Sequence, residues 1–332
     1  MAGVAGLSVL AGCGSGAADL ATRSANAQVA WVANHAFESD PGSTITPVDL
    51  AGHQAYPAVT TASEPAAFAA MPGSQSLLLV ANRGKDTLSV LDTATGAVTA
   101  TVKVGLEPDA VAWAPGATGP GMALVANFGD DTVTPVNLAT MRAGPPIPVG
   151  SEPDAVAVAM GRDGHPDTAI VADFASGTVT PIDLATMRAG PAVAVGTEPD
   201  AVGIIPKGPL GTAVALICNF GSDDLTPLTV ATMSSGTPIS LGADPTGLAV
   251  APDGAAWVVA GASLFPVSPA TLTTGAPVAL PDVAEAVALE GSGTAWVAEQ
   301  NGSMVSVPLP SGPVGKPIHV GGRPSAIVIP PA

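Results

Sequence analysis

Short apolar runs, each closed by a polar residue and a turn signal, follow one another along most of the chain. The clearest stretch runs from Leu106 to Gly150, LEPDAVAWAPGATGPGMALVANFGDDTVTPVNLATMRAGPPIPVG. Four segments in it are β-prone by their Val, Ile, Leu and Thr content: Pro108–Trp113, Met122–Ala126, Thr132–Leu138 and Pro145–Val149. Pro-Gly pairs, the Phe128-Gly129-Asp130-Asp131 stretch and Met141-Arg142-Ala143-Gly144 separate them with turn chemistry. No long window keeps a helical period free of Gly and Pro, so the pattern predicts strands and no long helices.

The same stretch returns over 151–196 and 197–242. An anchor at the end of the second segment marks further copies: Asn34, Asn82, Asn127, Asp173 and Asn219, then the degenerate Ala260 and Glu299. Seven copies of four short strands, at a period of about 40–45 residues, predict an all-β, seven-bladed propeller. The first copy begins at its second strand, Gln28–Ala33. The chain ends on a first strand, Gly322–Ile329, with nothing after it. The surplus piece at one end matches the missing piece at the other. The ring is therefore expected to close by the C-terminal strand completing the N-terminal blade.

LVAN followed by a Gly/Asp turn and TVTPVNLAT resembles the YVTN-type β-propeller repeat, with Leu, Trp or Ile where that repeat has Tyr. The resemblance covers about 28–332. It implies a propeller related in fold to propeller lactonases, in a family of bacterial surface and secreted proteins. It implies function only weakly, because fold does not fix function.

Gly and Pro number 39 and 34, which fits frequent turns, and the net charge is -17. Such a balance argues against nucleic acid or an anionic membrane surface as partner, since both require a basic patch. In a propeller, the loops between blades share a face with the loops joining second to third strands. That face would carry most of the 27 acids. Among them are Glu64, Glu107, Asp109, Glu152, Asp154, Glu198, Asp200 and Asp244, with Arg83, Lys85 and Arg323 as the cations. The opposite face carries Arg142, Arg162, Arg188 and Lys207.

Those eight acids are candidates for a funnel that holds Ca2+, another cation or a basic ligand. Glu-Pro-Asp is equally what turn chemistry asks for: Pro fixes φ and Asp accepts nearby N–H groups. The anchor Asn and Asp residues are read as loop ties. Catalytic candidates come from the irregular blades: His35, Glu285, Glu299 and Arg323, with Glu38 and Arg83 beside them. Nucleophile-elbow, phosphate-loop and His-Glu-x-x-His motifs are absent from the sequence. Cys218 stands inside a predicted strand and reads as a buried thiol.

Residues 1–12 are small and apolar and lead to Leu10-Ala11-Gly12-Cys13, which resembles a bacterial lipobox, although no Lys or Arg precedes the apolar run. The expected organisation is a lipoprotein-like signal over 1–13 with Cys13 lipidated, a tether over 14–27, and the propeller over 28–332. The protein would then be an extracytoplasmic monomer touching the membrane only through its lipid. If the lipobox is false, the protein is secreted or cytoplasmic. The functional expectation is a non-enzymatic binding scaffold for a small molecule, a cation or a basic protein surface. The alternative is a lactonase-like hydrolase or lyase that uses a cation and carboxylates in the channel.

Overall fold

The second strand of each repeat reads as an unbroken apolar run because both of its faces are covered. In Met122–Asn127, Ala123 and Val125 pack into a cluster with Leu79, Ala81 and Leu88 of the preceding repeat. Leu124 and Ala126 pack with Ala169 and Val171 of the following one. Alternate residues therefore serve different interfaces, and no polar face is left to alternate with an apolar one.

The computed structural model describes residues 28–35, 44–60, 64–71, 77–116, 119–161 and 164–330. Its strands form seven antiparallel sheets, and the innermost strand of each touches the next all the way around. This is the expected seven-bladed β-propeller. We number the blades by their second strands: Val29–His35 in blade 1, Leu77–Asn82 in blade 2, Met122–Asn127 in blade 3 and Pro166–Asp173 in blade 4. Val214–Asn219, Ala256–Ala260 and Thr294–Glu299 follow in blades 5, 6 and 7. Closure is as expected: Arg323–Val328 pairs with Val29–His35, setting Trp31 opposite Val328 and Ala33 opposite Ala326. Cys13, Glu38 and the expected signal and tether lie outside the described residues.

The fourth strands depart from the expected continuous segments. In blade 3 the strand is split into Arg142–Ala143 and Ile147–Pro148. Pro135, central in the third strand, has no N–H for the ladder, and Gly144 N–H closes on its carbonyl at 2.7 Å. Pro47, Pro181, Pro227 and Pro266 hold the same position in blades whose fourth strands are also split or short. Blade 2 has Val90 there, and its fourth strand, Ala97–Lys103, runs unbroken apart from one bulge. Four of the third strands end in Asx turns. Asp49, Asp92, Asn137 and Asp183 each accept the N–H groups two and three residues on.

The anchors do more than tie their own loop. Asn127 donates Nδ2 to Thr132 and Thr134 hydroxyls and accepts Gly105 N–H from the inter-blade connection at 3.1 Å. Asn219 repeats this with Thr226 and Gly196. Asn127 and Asn219 thus each lock two strands of one blade to the segment arriving from the blade before. The Glu of the Glu-Pro-Asp motif belongs to the same joint. Glu107, Glu152 and Glu198 have φ of 48°, 54° and 51°, in the left-handed region. Their carbonyls accept the N–H of Phe128, Phe174 and Phe220. The turn reading therefore describes the Glu and Pro of the motif well.

Candidate functional site at the channel mouth

Each innermost strand carries a β-bulge at the same place. In blade 3, Pro108 faces Asn127 and Ala110 faces Ala126, so Asp109 has no partner across the ladder. The equivalent extra residues are Asp154, Asp200, Thr246, Glu285, Ser325 and Ala66. A bulge re-aims the side chain it inserts. All seven of these residues line one cavity of about 470 Å³ at the channel mouth, together with Arg83 and Arg323. Beneath them the walls are small and apolar, including Ala110, Ala155, Ala201 and Ala286.

The ring is unequal. Three aspartates come from consecutive blades, and the middle one, Asp154, is within hydrogen-bonding reach of both Asp109 and Asp200. Burial pushes Asp154 well above the usual carboxylate range, and the charge of Asp200 and a hydrogen bond with it push it further. Asp200 is pushed up to about 6, first by burial and then by the charges of Asp109 and Glu285, against a lowering hydrogen bond from Asp154. Asp154, although eased by Asp109 and Arg83, is therefore the carboxyl of the pair that keeps its proton to higher pH. The cations are fixed at the flanks. Arg83 bonds Asp109 at 2.9 Å and Glu107 at 3.0 Å, with its guanidinium over the Phe128 ring at 4.8 Å. Arg323 pairs with Glu285 through Nε and Nη2.

Of the eight acids expected to form the funnel, Asp109, Asp154 and Asp200 reach the cavity, whereas Glu64, Glu107, Glu152, Glu198 and Asp244 do not line it. The left-handed turn places each Glu one step outside the bulge. Asp244 instead hydrogen-bonds Asp223 at the rim and raises that carboxyl. Glu285, Arg83 and Arg323 line the cavity as well. Glu299 does not: it is fully buried at an anchor position, accepting Ser303 Oγ at 2.7 Å and Asp282 N–H at 3.2 Å. His35 pairs through its backbone with Arg323. Sequence reasoning missed Ala66, Thr246 and Ser325. Their signal was positional, since each follows the proline that opens its first strand.

Among the described residues, no group of three or more His, Cys, Asp or Glu side chains is arranged to hold a metal ion. The aspartates bond to one another and to Arg83 instead of converging on a common point. Cys218 is fully buried, and burial, with Asp200 behind it, raises its thiol well above the ordinary range.

No protein-family model matches the chain, and no curated protein matches it. Solved structures do share its fold. Kuenenia stuttgartiensis hydrazine synthase is 17% identical with a TM-score of 0.66, covering 80% of this chain and 90% of that one. A "putative 6-phosphogluconolactonase" from Bacteroides uniformis is 15% identical with a TM-score of 0.69, covering 92% of this chain and 99% of that one. At these identities the likeness concerns the fold alone: the chain is built as a seven-bladed β-propeller.

Proposed function

We propose that the protein is a non-enzymatic binding module that takes a small cationic ligand at the channel mouth. The observation that carries this reading is the hydrogen-bonded Asp154–Asp200 pair, held in a cavity of about 470 Å³. Two carboxyls that cannot both ionise cheaply gain most from an incoming positive charge, which replaces the shared proton. An ammonium group suits this arrangement better than Ca2+, which requires six or more oxygens around one centre.

Calorimetry with n-pentylamine tests the reading. Because Asp200 is pushed up to about 6, that carboxyl is mostly neutral at pH 5 and charged at pH 7.5, while Asp154 keeps its proton to higher pH than an ordinary carboxyl. Affinity should rise across that interval, and proton release should show as a binding enthalpy that changes with the ionisation enthalpy of the buffer. Asp200→Asn should weaken the amine by roughly tenfold, the scale of one charge-assisted bond. Binding that ignores both pH and Asp200→Asn overturns the proposal.

A second reading is favoured by the same pair. A carboxyl near 6 that shares a cavity with two arginines is what general acid–base catalysis uses, as in a lactonase-like hydrolase. Lactone hydrolysis by the purified chain that disappears in Asp200→Asn would establish it.

We further propose, from Leu10-Ala11-Gly12-Cys13, that the protein is exported and held to the membrane by lipid on Cys13. Cys13→Ser should release it from the membrane fraction. A wild-type protein already soluble in the cytoplasm overturns this.

A further inference from the structure

The channel mouth is polarised across its width as well as acidic. Around the ring the bulge residues run Ser325, Ala66, Asp109, Asp154, Asp200, Thr246, Glu285 and back to Ser325. In a ring of seven, the gap between Ser325 and Ala66 lies opposite Asp200. Two small side chains therefore face the carboxyl pair. That gap is flanked on both sides by guanidinium: Arg83 leans on Asp109 from one side and Arg323 on Glu285 from the other. The two side chains keep 29% and 39% of their exposure, so both can still meet a ligand. Arg323 leaves Nη1 uncommitted among the described residues. Ser325 Oγ in the gap is shielded and has no hydrogen-bond partner among the described residues. Because Ser325 lines the cavity, turning its side chain would bring this hydroxyl out to a ligand and give it a partner.

Resting on the cation reading above, we propose that the ligand is a small zwitterion. Its ammonium end lies against Asp154 and Asp200, and its carboxylate lies in the Ser325–Ala66 gap between Arg83 and Arg323. A guanidinium and a hydroxyl are the usual donors to a carboxylate. The cavity, at about 470 Å³, has room for an amino acid or a dipeptide.

The test is calorimetry on the full chain at pH 7.5 with the series from glycine to 6-aminohexanoate, alongside n-pentylamine and pentanoate. The best zwitterion should bind roughly tenfold tighter than either singly charged probe. Arg323→Gln should produce a crossed effect. It weakens the zwitterion by removing a carboxylate donor, and it strengthens the amine by releasing Glu285. A loss of structure would move both probes the same way. Arg83→Gln, outside the closing strand, should give the same crossed shift if Arg323→Gln does not fold. Parallel shifts in a folded variant overturn the proposal. Equal, pH-dependent binding of amine and zwitterion overturns the zwitterion and leaves the cation reading intact. No binding by any probe overturns both.

Discussion

Asp173 is the one anchor in the regular repeats that is an acid where its neighbours have Asn. It is fully buried, accepting Thr180 Oγ1 at 2.7 Å, Thr178 Oγ1 at 3.0 Å and Gly150 N–H at 3.1 Å. Burial outweighs those three bonds and raises its carboxyl to about 6. The unfolded chain loses this proton near 4, whereas the folded one keeps it to about 6. Stability therefore falls as pH rises between those values and is level above them. A shift of about two units corresponds to about 3 kcal/mol at most. An amide fits the site, because Asn127 and Asn219 donate to the corresponding strand-three hydroxyls and accept the corresponding glycine N–H. Asp173→Asn should therefore stabilise the protein at pH 7.5 by on the order of 1–3 kcal/mol, with no gain at pH 3.5. Urea denaturation at the two pH values reads this directly. An equal effect at both would mean that desolvation of the carboxylate is not the cause.

At the scale of the strand, legibility followed how local the cause was. Second strands such as Leu77–Asn82 were plain because their covering on both faces writes an unbroken apolar run. The fourth strands were less so. Pro145–Val149 looks β-prone in isolation, but it pairs only at Ile147–Pro148, opposite a strand whose central Pro135 offers no N–H, and blade 7 has an equally short fourth strand with Ser306 at that position. The candidate site shows the same division. Glu-Pro-Asp was visible as a motif, and it singled out three of the seven ring positions through Asp109, Asp154 and Asp200. Which of its two acids enters the channel depends on a bulge and a left-handed turn, whose one trace in the sequence is the proline before the bulge residue. Thr246, Ser325 and Ala66 were invisible as chemistry because their role comes from register alone. Glu299 looked chemical because it breaks the anchor pattern. Its length instead lets it reach the Asp282 N–H and the Ser303 hydroxyl together.

At the scale of the molecule, the site and the stability of the ring share one strand. Arg323–Val328 supplies Arg323 and Ser325 to the channel mouth and also contributes the innermost strand of blade 1 from the far end of the chain. Ring closure brings together segments nearly the whole chain apart, so it costs loop entropy. In return it removes the last open inner edge. Deleting residues 323–332 would leave Val29–His35 unpaired along its inner side, facing the channel with free N–H and C=O groups. It would also uncover Trp31, Val32 and Ala33, which are fully buried in the closed ring. An exposed edge of that kind pairs with another chain or unfolds, and the other blades cannot shield it because each is packed only against its own neighbours. The truncated protein should therefore elute as oligomers or aggregates, with the melting transition lost or lowered. Adding the peptide Gly322–Ile329 in trans should restore a monomer, because strand addition uses the same ladder. A truncated protein that stays monomeric with unchanged melting would mean that the blades hold the ring without the strand. The polarised mouth would then lose Arg323 and Ser325 without any loss of fold, and the channel's chemistry could be tested apart from its architecture.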